Sequence, residues 1–192
     1  MDKKIVVAGH VCVDLTPVFD HAPVEQLTDI LVPGKLIHMN GITFAGGGVV
    51  TNTGLALKKL GANVALMGKI GYDALGDILL SIFNQYHAGK HMLRVPGSTT
   101  SYTVAIAVPG IDRIFLHDPA ANDTFGYEDL NFEEIADASI FHFGYPAIMR
   151  KMYEHNGEEL IRIFKRVHSM GVATSLDMVA IDPSSEAAKV DW

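Results

Sequence analysis

Short apolar runs alternate along the chain with stretches in which apolar residues recur at helical spacing. The strand candidates, rich in apolar and β-branched residues, are residues 4–9, 64–68, 139–144 and 172–177. Asp73 is a candidate N-cap for an amphipathic helix over residues 74–86. Residues 146–170 predict a longer helical stretch, broken at Asn156-Gly157. This alternation favours βαβ units, and hence an α/β fold with a parallel sheet flanked by helices.

Two further pairs of apolar runs predict hairpins inserted between these units. The paired runs are residues 35–39 with 42–44, and 101–108 with 113–117. Asn40-Gly41, between the first two, is a dipeptide typical of tight hairpin turns. The hairpins indicate a small antiparallel β lid apart from the main sheet, with lid segments at about 34–45 and 99–118. Most of residues 101–108 is apolar on both faces of the predicted strand. The second face of the lid therefore needs another surface to pack against it.

The remaining segments predict little regular structure. Residues 16–33 contain three prolines and favour at most one short helix, around residues 24–30. Residues 128–136 predict a short acidic helix. His87 and His91 have a metal-ligand spacing, but no third ligand accompanies them, so no metal site is predicted.

A glycine run at Gly46-Gly47-Gly48 leads directly into a helix. Consecutive glycines let the backbone take positive φ and bring its amides close to a ligand. Thr51 or Asn52 is predicted to cap this helix, and Gly61 to end it. Asn52 beside glycine amides suits a neutral polyhydroxy ligand, because an amide side chain both donates and accepts. A tight strand-to-helix turn without a ligand is the alternative.

The amino-acid sequence of this region excludes two common phosphate-binding loops. A Walker A loop needs G-x-x-x-x-G-K-[ST], but Gly68-Lys69 is followed by Ile70. A dinucleotide fingerprint needs G-x-G-x-x-G after the first strand, where only Gly9 is present.

Asp14 is a second candidate ligand contact, just past the first strand. Ligands of open α/β sheets bind beyond the carboxyl ends of strands, so a carboxylate there can accept two vicinal hydroxyls. Hydrogen bonds to nearby turn amides are the alternative role.

Composition narrows the class of partner. The 192 residues are 48% hydrophobic and 19% charged, as in an ordinary globular domain. A net charge of −7 without a basic block argues against nucleic acid and anionic membrane surfaces. Cys12 is the single cysteine, and neither a signal-peptide pattern nor a run of bilayer length is present. The expected compartment is the cytoplasm.

The spacing of Gly47-Gly48, Asn52, Gly61 and Gly71 resembles the first signature of the ribokinase-like (PfkB) family of carbohydrate and nucleoside kinases. The resemblance extends over the whole chain, to Val13-Asp14, Thr99-Thr100, Ala121-Asn122, residues 143–145 and residues 172–177. Val50, Gly54 and Tyr72 depart from the pattern.

The resemblance implies a ribokinase-like fold and transfer of the ATP γ-phosphate to a hydroxymethyl group of a sugar or nucleoside. The substrate contacts that it implies are Asp14, Gly47, Gly48 and Asn52, with Tyr102, Phe115 and His117 in the lid, and Asn122. ATP and Mg are the expected cofactors, and a homodimer through the lid is the expected assembly.

The family's catalytic base and phosphate cradle come from a later D-T-x-G-A-G-D segment, which these 192 residues lack. The chain is therefore expected to be an incomplete ribokinase-like domain over residues 1–192, without the nucleotide-binding part and inactive alone. A fragment, a truncated gene product and a degenerate homologue are all compatible with this, as is a non-catalytic sugar-binding or regulatory homologue. A Rossmann-like domain of unrelated function is a third hypothesis.

Overall fold

The computed structural model describes residues 3–192, which form two β-sheets and the helices around them. In chain order the strands are β1 (Ile5–Gly9), β2 (Cys12–Pro17), β3 (Ile42–Gly47), β4 (Val64–Gly71), β5 (Met92–Val95), β6 (Tyr102–Ile106), β7 (Ile114–Asp118), β8 (Ile140–Gly144) and β9 (Ala173–Asp177). The α-helices are α1 (Gly48–Lys59), α2 (Ala74–Asn84), α3 (Phe132–Ala136) and α4 (Arg150–Ser169). Short 3₁₀ helices span Leu27–Asp29, Gly89–His91, Ala120–Thr124, Tyr127–Asp129, Pro146–Ile148 and Glu186–Lys189.

The main sheet is parallel and five-stranded, in the order β5-β4-β1-β8-β9. Alternate residues of β1 point to opposite faces, and both faces are buried, which explains why this strand is a continuous apolar run. Val6 packs in a core cluster with Phe141 and with Met152 of α4. Val7, on the other face, packs in a second cluster with Val49 of α1 and with α2 residues.

Several boundaries follow the local sequence signals. Asp73 caps α2, since its Oδ1 accepts from the amide of Gly76 at 2.8 Å. Gly61, at φ +85°, follows the end of α1. The predicted break in α4 is confirmed, because His155, Asn156 and Gly157 all have left-handed φ values. Within residues 3–192 no helix has the length and apolar character needed to cross a membrane.

The predicted cap of α1 is wrong. The helix begins at Gly48, so Thr51 and Asn52 lie inside its first turns, and Gly47 is the N-cap. The chain enters the helix earlier than predicted, because Gly48 adopts φ +79°, a backbone conformation that glycine takes readily. The amide of Val50 then donates to the carbonyl of His10 at 3.3 Å.

The small sheet has the order β3-β2-β6-β7 and is mixed rather than wholly antiparallel, because β2 and β6 run parallel. The first predicted hairpin is wrong. Residues 35–39 form no strand, and β3 pairs instead with β2. Asn40 and Gly41 form hydrogen bonds with the main chain of Val18. They therefore connect the long segment between β2 and β3 to the start of β3. The small sheet, called the lid below, therefore consists of β2, β3, β6 and β7, and the segment predicted at about 34–45 contributes only β3 to it.

Smaller differences concern short elements. The helix expected around residues 24–30 is one 3₁₀ turn, and the one expected over 128–136 divides into a 3₁₀ turn and α3. Strand β5 was not predicted, because Met92–Val95 is only four residues long and pairs with the distant β4.

Candidate functional site

The site lies where the chain leaves the main sheet for the lid. At the end of β1, Gly9 faces the backbone of Gly144 so closely that a Cβ would collide with it. The chain then passes through His10 and Val11 into β2, which belongs to the small sheet. The carboxyl end of β1, the N-terminus of α1 and the lid therefore meet at one place, as expected for a ligand crevice in an open α/β sheet.

Each glycine of the run makes room for a polar group. A Cβ on Gly47 would overlap the carboxylate of Asp14, and one on Gly48 would overlap the ring and carbonyl of His10. A Cβ on Gly46 would overlap the side chain of Thr51. The glycines thus allow the start of α1 to approach these side chains closely.

One face of the lid carries a cross-strand row of four residues, here called the polar row: Ala45, Asp14, Thr103 and His117. The row crosses all four strands in register, and cross-strand neighbours in register lie on the same face of a sheet. Asp14 and His117, both predicted from the sequence, are therefore brought to the same face. Phe115 lies two residues from His117 on that face, whereas Tyr102 alternates with Thr103 and lies on the opposite face.

The opposite face carries an apolar row, formed by Phe44, Leu15, Val104 and Leu116. Phe44 is 50% exposed and Leu116 is 53% exposed. Ile42 and Ile114 extend this apolar surface along the outer strands and are also exposed. The two faces of the lid therefore differ: one carries the polar row together with Phe115, and the other carries the apolar row.

A histidine pair joins the lid to the main sheet. His10 Nε2 lies 3.2 Å from His117 Nε2. His10 is buried, and this burial, together with the neighbouring His117, lowers its pKa to about 3. Burial also lowers the pKa of His117. Both imidazoles are therefore neutral at pH 7, and one must donate its N–H to the other.

A second set of contacts links His117 to Asp14. His117 Nδ1 lies 3.0 Å from Thr103 Oγ1, which lies 3.7 Å from Cys12 Sγ. Burial raises the pKa of Cys12, so its thiol keeps its proton and donates to Asp14 Oδ1 at 3.4 Å. Among residues 3–192, no lysine or arginine forms an ion pair with Asp14.

Asn122 and Asn52 occupy contrasting positions. Asn122 is fully buried, and its side chain bonds both the amide of Val11, at 3.2 Å, and the carbonyl of Val11, at 2.9 Å. It therefore fixes the β1–β2 connection, and its contact with a substrate stays a prediction. Asn52 is exposed and lines a cleft of about 340 Å³ together with Ala45 and Lys59, whereas Asp14 and His117 are not among the lining residues of this cleft.

The sequence interpretation missed His10, Cys12 and Thr103. His10 directly follows the end of β1, where a polar residue is a candidate in itself. Thr103 has no such signal, because its approach to Asp14 depends on the parallel pairing of β2 and β6. In the part of the chain that the structure describes, no cluster of three or more potential metal ligands occurs.

The model of the pfkB family of carbohydrate kinases matches residues 2–191. The chain therefore belongs to the pfkB family of carbohydrate kinases.

Curated relatives include two plant proteins. Fructokinase-2 of Oryza sativa subsp. japonica is 28% identical over 174 residues, which cover 86% of this chain and 51% of that protein. Fructokinase-like 2, chloroplastic, of Arabidopsis thaliana is 26% identical over 125 residues, covering 64% of this chain and 20% of that protein. The matched segments thus span about half of the first relative and a fifth of the second.

Solved structures share the fold over nearly the whole chain. Fructokinase with bound ATP from Xylella fastidiosa has a TM-score of 0.72 at 21% identity, covering 98% of this chain and 58% of that one. Arabidopsis thaliana ribokinase complexed with ribose and ATP has a TM-score of 0.71 at 19% identity, covering 96% and 55%. The chain therefore has a ribokinase-like α/β fold with a separate small sheet.

Proposed function

We propose that this chain supplies the acceptor-binding half and the lid of a PfkB-type sugar or nucleoside kinase, which transfers the ATP γ-phosphate to a substrate hydroxymethyl group. The observation that carries the proposal is the polar row, which brings Asp14 and His117 to one face of the lid, with Gly47 at the start of α1 against Asp14.

The chemistry of the polar row favours an uncharged polyol. Asp14 offers carboxylate oxygens that accept from hydroxyls, and Asn52, at the edge of the row, can both donate and accept. Neither the polar row nor the glycine run contains a lysine or arginine to pair with a phosphate group. D-fructose and D-ribose are the first ligands to test, because the related proteins are named fructokinases and a ribokinase complexed with ribose.

ATP and Mg²⁺ belong to the proposal for the whole kinase. The glycine run itself contains no cationic side chain, and Lys59 lines the cleft shared by Gly46 and Asn52. We assign no ATP or Mg²⁺ contact to the residues of this chain. The proposed role of this chain is to bind and cover the acceptor.

A homodimer through the lid accompanies this function. The apolar row would expose several large side chains to water in a monomer, and a second copy can cover them with its own apolar row. We propose the cytoplasm as the compartment and a small molecule as the substrate, with no nucleic-acid or membrane partner.

A non-catalytic sugar-binding or regulatory role is the second candidate, because Val50, Gly54 and Tyr72 depart from the family's first signature. Both candidates predict saturable binding of a sugar or nucleoside in calorimetry with the 192-residue chain. The two candidates predict different results in a coupled ADP-release assay on the gene's full product. Turnover with the bound sugar supports the kinase, whereas binding without turnover supports the second candidate. Absence of binding to fructose, ribose and a nucleoside panel contradicts both.

A further inference from the structure

Five side chains form a continuous line of polar contacts, here called the relay, from the end of β1 through the lid to the candidate ligand contact. They are His10, His117, Thr103, Cys12 and Asp14. We propose that the relay is a single directed chain of hydrogen bonds that positions Asp14 for the sugar and fastens the lid to the main sheet. The inference about sugar rests on the proposed function, whereas the direction of the chain does not.

The direction follows from the acceptor at its end. An ionised carboxylate can only accept, so Cys12 uses its one proton to donate to Asp14 at 3.4 Å. Cys12 Sγ can then only accept from Thr103. The threonine hydroxyl also has one proton, so Thr103 Oγ1 accepts from His117 Nδ1 at 3.0 Å.

The same reasoning fixes both imidazole tautomers. A neutral imidazole carries one N–H, so His117 with its proton on Nδ1 presents a lone pair at Nε2. His10 must then donate from its own Nε2, at 3.2 Å. This leaves His10 Nδ1 as a lone pair, at a buried position where that atom has no hydrogen-bond partner. The alternative direction would leave an unpaired N–H there, which proteins rarely tolerate.

The relay assigns roles to residues that need not touch the sugar. The hydrogen bond from Cys12 holds Oδ1 of Asp14 and leaves Oδ2 to accept from a ligand hydroxyl. Thr103 and His10 are positioning residues, because they act through Cys12 and His117. Since His10 belongs to the β1–β2 connection and His117 to β7, the relay also fixes the lid relative to the main sheet.

The tautomers can be measured directly. In the ¹⁵N-histidine-labelled 192-residue chain at pH 7, long-range ¹H–¹⁵N correlations should show His10 protonated on Nε2 and His117 protonated on Nδ1. Thr103→Val should reduce the Nδ1–H preference of His117, to which the backbone carbonyl of Tyr102 also contributes, whereas Thr103→Ser should keep it. The matched control is Thr16→Val, because Thr16 lies two residues from Asp14 on the same strand and outside the relay.

Sugar affinity provides the second readout. For whichever of D-fructose and D-ribose the wild type binds, Thr103→Val should weaken binding by about threefold to tenfold, and Thr103→Ser and Thr16→Val should leave it nearly unchanged. His117 protonated on Nε2 in the wild type, or wild-type tautomers and affinity in Thr103→Val, would overturn the relay. If the wild type binds neither these sugars nor a nucleoside, the proposed function fails, while the tautomers still decide the direction of the relay. If Thr103→Val does not fold, the wild-type tautomers decide it alone.

Discussion

Gly47 lies against the carboxylate of Asp14 so closely that a methyl group on its α-carbon would occupy the position of the carboxylate. The two residues lie diagonally on adjoining strands just before α1, since Asp14 pairs with Ala45 and Gly47 pairs with Cys12. A glycine is therefore required at position 47 because of its neighbour, not because of its own backbone angles, since its φ is −120°.

Gly47→Ala should displace Asp14 and destabilise the protein by about 1–3 kcal/mol, the usual cost of overpacking. In the Asp14→Ala background the added methyl group meets free space, so the same substitution should cost clearly less. Urea unfolding of the four proteins in this double-mutant cycle measures the difference. Equal costs in both backgrounds would show that the two residues do not compete for the same space.

The sequence predicted those parts of the fold that depend on local patterns. The strands around β1, the cap at Asp73, the end of α1 before Gly61 and the break in α4 each follow from neighbouring residues. Gly54, a departure from the family pattern, is explained instead by packing between elements, since a Cβ there would have to push aside the end of the Leu66 side chain of β4.

Pairings between distant segments could not be predicted. The strand order of the lid depends on the pairing of β2 with β6 and on the pairing of β3 with β2, which a long irregular segment separates. No turn sequence joins either pair of strands, so neither pairing could be predicted from a local signal. For the same reason Asp14 and His117 were proposed separately, whereas Thr103 and His10, which connect them, were missed. The hydrogen bonds of Asn122 to the main chain of Val11 were equally unpredictable, because they join residues 111 positions apart.

The buried His10 should make stability depend on pH. In the unfolded chain this histidine binds a proton near pH 6.5, but in the folded chain only near pH 3. Between these values the unfolded state binds more protons, so stability decreases as the pH falls, by about 1.4 kcal/mol per pH unit for this group. The lowered pKa values of His117 and His142, both caused chiefly by burial, act in the same direction.

Urea unfolding at pH 7.5 and 5.5 tests this, above the range in which carboxyl groups titrate. His10→Gln should lose less stability between the two pH values than the wild type. His38→Gln, at an exposed histidine, should behave like the wild type. An unchanged pH dependence in His10→Gln would mean that His10 is not the source.

The two faces of the lid should respond differently to charge. Leu116 and Phe115 are neighbours with nearly equal exposure, 53% and 55%, but they lie on opposite faces of β7. Leu116→Lys should convert a dimer to a monomer, because it places a charge in the apolar row. Phe115→Lys should leave the dimer intact and weaken sugar binding. Light scattering at micromolar concentration gives the masses, and a monomeric wild type would contradict assembly through the lid.

The most direct test of the central claim is calorimetry of the 192-residue chain with D-fructose and D-ribose, comparing the wild type with Asp14→Ala and Asn52→Ala. Asp14 is only partly buried and Asn52 is exposed, so both variants should remain folded. For the sugar that the wild type binds, loss of a hydrogen bond to the Asp14 carboxylate should cost about 1.5–3 kcal/mol. Asn52→Ala should weaken binding less, and Asp20→Ala, at an exposed aspartate outside the polar row, should not change it. Saturable binding that decreases in the Asp14 and Asn52 variants is the predicted result, whereas unchanged affinity in both variants would show that the sugar binds elsewhere and contradict the site.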